Sequence, residues 1–282
     1  MTPFKSAFLV STVIFLSACS TTVPAYLTDD SERIHQEYFG TTGLAFELLL
    51  AGTEYETPVF HFTGTDPGPA VLIIGGTHGN EPAGFEAAHR LLKIFASGHL
   101  DRGSVYLIPE ANKLADRRGS RSIRTPRGVN RELGNLNRCY PGNTNGLPME
   151  QAAFQITNLI KQNGVSAVID LHESPVFHME YKDESGQYHG LGQTVIYTNN
   201  EEGAWISMLV VDEMNTTIPP GLEQFSLAAN PVQHSAAWLA GDCFNLPGFT
   251  IETCKKLPLE NRISYQIQIV DIILREIGLI GE

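Results

Sequence analysis

Apolar and polar positions along this chain fall into blocks of changing period. Ala70–Ile74 is an unbroken apolar run of the length of a buried strand. Pro82 then opens a stretch through about Phe95 in which Phe85, Ala88, Leu91, Leu92 and Phe95 recur on one helical face. Val105–Ile108 predicts the next strand. Met149–Lys161 predicts a helix facing inward through Ala152, Ala153, Ile156, Leu159 and Ile160, and Val165–Leu171 a second central strand. Thr194–Thr198 and Phe249–Ile251 read as further strands, with a helix near Ala204–Met214 between them. A long amphipathic helix, Leu259 to Ile277, closes the chain through Ile263, Ile267, Val270, Leu274 and Ile277. Apolar runs alternating with amphipathic stretches predict an α/β sheet. Asn112 to Gly146 reads as one long, basic, Gly-rich loop, and long loops in compact domains are usually functional.

The N-terminus has a different pattern. Lys5 is a positive flank, Ala7 to Leu16 is a short apolar stretch, and Leu16-Ser17-Ala18-Cys19 reads as a lipoprotein cleavage site. Residues 1–18 are expected to be a signal peptide, with Cys19 acylated at its new N-terminus. Residues 19–40 are expected to be the lipidated Cys and a polar tether, and 41–282 a single globular domain. The acyl chains would hold the protein on a membrane leaflet with no transmembrane helix. Ser20 follows Cys19 where an inner-membrane protein would carry Asp. By resemblance to enterobacterial sorting, this predicts the periplasmic face of the outer membrane.

Removing the leader leaves 264 residues, enough for one α/β domain with a sizeable core. The formal net charge of -12 argues against nucleic acid as a partner. Cys139, Cys243 and Cys254 remain besides Cys19, an odd set in which Cys243 and Cys254 are the candidates for pairing in an oxidising compartment. None has the spacing of a zinc site.

Two short strings carry candidate chemistry. Thr77-His78-Gly79-Asn80-Glu81 follows the first buried strand, and Asp170-Leu171-His172 ends the second. Gly75 and Gly76 permit a tight exit toward the carboxyl edge of the sheet, where ligands of open α/β sheets gather. His78, Glu81 and His172 together offer two imidazoles and one carboxylate. That is the protein ligand set of a catalytic zinc ion, which leaves a fourth position to water and implies hydrolysis. Asp170 is a candidate partner of His172 or a core residue. His61, His89, His99 and His189 lack this context and read as structural or surface residues.

Gly75-Gly76-Thr77-His78-Gly79-Asn80-Glu81, Asn135-Leu136-Asn137-Arg138-Cys139-Tyr140-Pro141-Gly142, Asp170-Leu171-His172 and Phe249-Thr250-Ile251-Glu252 resemble, in combination and in order, the succinylglutamate desuccinylase/aspartoacylase group of the zinc carboxypeptidase superfamily. The resemblance runs from about Ala70 to Lys255. It implies a mainly parallel mixed sheet flanked by helices and one Zn2+. It also implies that Asn137 and Arg138 hold a substrate carboxylate, a task suited to a planar guanidinium. Asn135 stands where the group usually has Asp, which removes a charge beside the pocket. Arg121, nine residues after Asn112, matches the arginine expected to stabilise the oxyanion, although Lys113 replaces a Pro; Arg127 is the next choice among the neighbours Arg117, Arg118, Arg124 and Arg131. Glu252, a carboxylate at the end of a buried strand, takes the role of general base by the same resemblance. Glu173 is a weaker candidate, because adjacent strand residues point to opposite faces.

These readings converge on a zinc-dependent hydrolase of an amide bond near a substrate carboxylate. A small peptide, such as a cell-wall muropeptide, and an N-acyl amino acid are both expected substrates. The alternative class is a non-catalytic lipoprotein that binds peptides or amino acids. Asn230-Pro231-Val232-Gln233-His234 is a candidate pocket wall, in the segment between His172 and Gly248 where specificity residues are expected.

Overall fold

Long runs of β-branched and aliphatic residues set the centre of the sheet, because strands covered on both faces need apolar side chains on both. A computed structural model describes residues 45–186 and 188–281. The expected signal peptide, Cys19 and the tether lie outside the described residues. Eight strands are found among the described residues: β1 (Ala45–Leu49), β2 (Thr57–Thr63), β3 (Asp66–Ile74), β4 (Arg102–Ile108), β5 (Val165–Ser174), β6 (Thr194–Tyr197), β7 (Ser226–Ala229) and β8 (Gly248–Cys254). They form one mixed sheet in the order β1-β2-β4-β3-β5-β8-β6-β7. β4, β3, β5 and β8 run parallel at its centre, while β1, β2 and β6 each add an antiparallel pairing. This is the expected mainly parallel, mixed sheet flanked by helices.

Four long helices cover it: α1 (Pro82–Ala96), α2 (Pro148–Gln162), α3 (Glu201–Thr217) and α4 (Leu259–Ile277). α1 and α3 both pack on α4 and share one face with it. On the other face, Met149, Ala152, Ala153, Ile156, Leu159 and Ile160 of α2 join Leu72, Ile74, Ile108 and Val168 in the larger core cluster. The apolar stripe of α4 is shifted from the expected one: Ile263, Ile269, Val270, Ile273 and Leu274 are buried, while Ile267 and Ile277 are half-buried. No helix among the described residues is long and apolar enough to cross a membrane. Cys139, Cys243 and Cys254 are all free thiols, so Cys243 and Cys254 are not joined; Cys243 is exposed and Cys254 buried.

β3 leads through α1 to β4 on one side, and the chain returns to place β5 on the other side of β3. Strand order therefore reverses between β3 and β5, and a crevice opens at their carboxyl ends. α1 lies close against β5: Gly84 packs on the Leu171 carbonyl, where an added Cβ would stand 2.5 Å from the oxygen. Gly84→Val is expected to push α1 off β5 and to cost about 1–3 kcal/mol of stability, as overpacking does. Urea unfolding measures this, and an unchanged midpoint would contradict the packing described.

Candidate metal centre

Gly76, with φ of 65°, turns the chain out of β3 in a conformation that glycine adopts without strain. The turn that follows carries His78 and Glu81 into the crevice, and β5 supplies His172 from the neighbouring strand. All three side chains are buried. His78 Nδ1 stands 3.1 Å from His172 Nδ1 and 3.1 Å from Glu81 Oε1, and Glu81 Oε2 is 2.9 Å from His172 Nδ1. Their ligand atoms all lie within 4.8 Å of one another. Two imidazole nitrogens so close cannot both carry protons, and a cation among these three lone-pair donors removes the conflict. The donor set and its size fit a zinc-type ion.

The outer nitrogen of each imidazole faces an oxygen, by a hydrogen bond at His78 and at ion-pair distance at His172. His78 Nε2 is 3.0 Å from Asn135 Oδ1, an acceptor, so its proton sits there and Nδ1 presents its lone pair inward. His172 Nε2 is 2.8 Å from Asp170 Oδ2, while Asp170 Oδ1 accepts from the Thr77 hydroxyl at 2.8 Å. Asp170 is thus a partner of His172 and not a mere core residue. Asn135 also accepts from the Asn137 backbone N–H at 3.1 Å. Its contact with His78 was not evident in the sequence, because 57 residues separate the two and no local pattern links them.

A cavity of about 440 Å³ opens beside this cluster, and His78, Arg121, Asn137, Arg138, Thr250 and Glu252 line it. β8 pairs with β5 so that Glu252 is the cross-strand neighbour of His172. Burial pushes the Glu252 carboxyl up to about 8; Glu81 and Asp170 add to this, against the pull of His172 and Arg121. Its Oε2 has no hydrogen-bond partner among the described residues. The same holds for Oδ1 of Asn137. His172 is pushed well above the usual imidazole range: burial opposes its charge, and Asp170 and Glu81 override it.

Arg121 Nη1 donates to Glu81 Oε1 at 2.8 Å, so this arginine reaches the cluster. Arg127 is exposed and does not line the cavity. Arg138 Nη1 donates to the Asn137 carbonyl at 2.7 Å, and burial together with Arg121 disfavours its charge. Arg138 also stands 3.8 Å from Glu132 through Nε, so both guanidinium groups of the cavity have a carboxylate beside them and are placed to share their charge with an anion that enters. Glu173 points away, as strand alternation requires: it pairs with Arg262 of α4 and accepts from the Ala83 N–H at 2.9 Å. The expected wall segment also contributes, through Asn230, Pro231 and Val232.

Residues 67–178 match the family model of the succinylglutamate desuccinylase/aspartoacylase catalytic domain. N-alpha-acetyl-L-2,4-diaminobutyric acid deacetylase of Halomonas elongata is 32% identical over 105 residues, which make up 37% of this chain and 28% of that protein. The apo crystal structure of the cell shape determinant protein Csd4 from Helicobacter pylori aligns with a TM-score of 0.65 at 20% identity, over 83% of this chain and 55% of that one. An aspartoacylase family protein from Mesorhizobium loti aligns with a TM-score of 0.61 at 22% identity, over 85% of this chain and 68% of its own. The chain thus spans little more than a quarter of the Halomonas protein and about half of Csd4. Both solved structures share its fold. The segment from Pro67 through the end of β5, which holds His78, Glu81, Arg121, Asn137, Arg138 and His172, lies within the match to the catalytic domain of the succinylglutamate desuccinylase/aspartoacylase family.

Proposed function

We propose that this protein is a zinc-dependent hydrolase that cleaves an amide bond, in a peptide or an N-acyl amino acid, close to a substrate carboxylate. The observation that carries the reading is one cavity holding a convergent His78–Glu81–His172 cluster, an unpartnered Glu252 carboxylate oxygen and two arginines. The relatives support the reaction class: one is named a deacetylase of an acetylated amino acid and Csd4 is described as a D,L-carboxypeptidase. His78, Glu81 and His172 would hold the zinc, which when bound would acidify a water and polarise a carbonyl.

The chain's own residues divide the remaining work. Arg138 and Asn137 anchor the substrate carboxylate and so position the scissile bond. Glu252 accepts the proton shed by the attacking water and passes it to the departing amine. Its raised pKa suits the second half, delivery of the proton to the amine, and a cation held beside it by His78, Glu81 and His172 would favour the ionised form that the first half needs. Arg121 faces the charge that grows on the carbonyl oxygen. Export and acylation of Cys19, on the periplasmic face of the outer membrane, belong to the same proposal and rest on Leu16-Ser17-Ala18-Cys19.

Five outcomes test this reading. His78→Ala is expected to abolish stoichiometric zinc binding, and Asn135→Ala to weaken it by about 10–100-fold, the usual effect of losing a partner of a ligating imidazole; metal analysis and competition with a chelator measure both. Glu252→Gln should retain zinc and substrate binding while kcat falls by about 10²–10⁴-fold. Near-native kcat in that variant would move the base elsewhere. In metal-free protein, the folded Glu252 holds its proton up to about 8 against an ordinary 4.5, so wild-type stability declines across that interval as pH rises. Glu252→Gln removes this component, and its stability relative to wild type should therefore grow from pH 4.5 to 8 in denaturant titrations. Mass spectrometry of membrane-extracted protein should show acylated Cys19; an intact Met1 would refute the anchor.

A further inference from the structure

The cavity has a second flank of different chemistry. Thr250 of β8 is the cross-strand partner of Ile196 on β6, which in turn pairs with Ala228 on β7. Cross-strand partners project to the same face, so these three form a row that leads away from the metal cluster toward the sheet edge. Leu191, Ala229, Pro231 and Val232 complete the flank, whose neutral polar groups are the Thr250 hydroxyl and the Asn230 amide. Leu191 is 41% and Val232 47% exposed, large apolar side chains left open at the rim of a pocket. Among the described residues lining the cavity the only carboxylate is Glu252, two positions along β8 from Thr250.

A charged group seated on this flank would lose water and gain no counter-charge, which is unfavourable for either sign. An ammonium would also face Arg121 and Arg138 across the cavity. A hydrocarbon group would cover Ile196, Ala228 and Val232 and release the water over them. We propose that the substrate carries an uncharged, apolar substituent, in its side chain or its acyl group, which seats on the Ile196–Ala228–Val232 flank while its carboxylate lies at Arg138. The preferred class is then an amide of an apolar amino acid or an apolar acyl group, and not of a diamino acid. This rests on the hydrolase reading above, and it narrows the substrate class of that same cavity.

The test uses the zinc-loaded protein and two matched series. One varies the side chain of N-acetyl amino acids, comparing norleucine with lysine and norvaline with 2,4-diaminobutyrate. The other varies the acyl group on glycine, comparing pentanoyl with succinyl. Calorimetric Kd and kcat/KM are measured for each. The apolar member of at least one series is expected to bind about ten-fold or more tightly, in the range that a hydrophobic pocket discriminates. Val232→Asp and Ala228→Asp should narrow or invert the preference over an ammonium; two variants are used in case one does not fold, and retained zinc stoichiometry identifies the folded one. Equal or tighter binding of the charged members in both series overturns the inference, as does an unchanged preference in both folded variants. Turnover is read separately: selective binding without hydrolysis in either series would remove the hydrolase reading and leave the apolar subsite standing.

Discussion

Asp170 is fully buried, and its two oxygens reach in different directions across the crevice between β3 and β5. One takes the Thr77 hydroxyl, and the other lies against His172 Nε2. A buried carboxylate is costly unless it is paired. Here the pairing ties the strand exit that carries His78 and Glu81 to the strand that carries His172. The centre inherits its geometry from that tie. His78 is supported differently, by the neutral amide of Asn135. One imidazole therefore has an anionic partner and the other does not, so the electron-donating power of the two rings is unequal by construction.

Strand alternation separates two adjacent carboxyl-bearing neighbourhoods. His172 and Asp170 share one face of β5, while Glu173 takes the other, where it joins Arg262 of α4 and the first turn of α1. A carboxylate that lines the cavity and one that clamps two helices need opposite faces, and Glu252 and Glu173 occupy them. The helical layer is thus fastened directly behind the metal cluster.

Much of this was legible in the chain. Buried strands β3, β5 and β8 and helices α1, α2 and α4 show strong apolar periodicity, and the expected ranges of α1 and α4 lie within a residue of those observed. β1 and β2 were not legible: β1 alternates exposed and half-buried positions and β2 carries Pro58. β7 is a four-residue edge strand, Ser-Leu-Ala-Ala, with no β-branched residue to mark it. The presumed structureless stretch from Asn112 contains a short helix, Lys113–Arg117, and two 3-10 turns. His78, Glu81 and His172 are neighbours in space as their strand-end positions suggest. The arginines of the loop are equivalent in sequence, and only the path of the chain brings Arg121 to Glu81 while leaving Arg127 outside. Asn135 and the Ile196–Ala228 row depend on contacts across strands and loops, which no local pattern encodes.

The same loop has a consequence at longer range. Eight of the chain's 19 Lys and Arg residues lie between Lys113 and Arg138, against two acids, in a protein whose net charge is -12. The segment that supplies Arg121 and Arg138 to the cavity is therefore a basic patch, whose field opposes that of the acidic chain around it. Such a field orients and accelerates the arrival of anions at low ionic strength and fades over about a Debye length, roughly 8 Å in physiological salt. A small anion is thus drawn toward the mouth of the cavity before any contact forms.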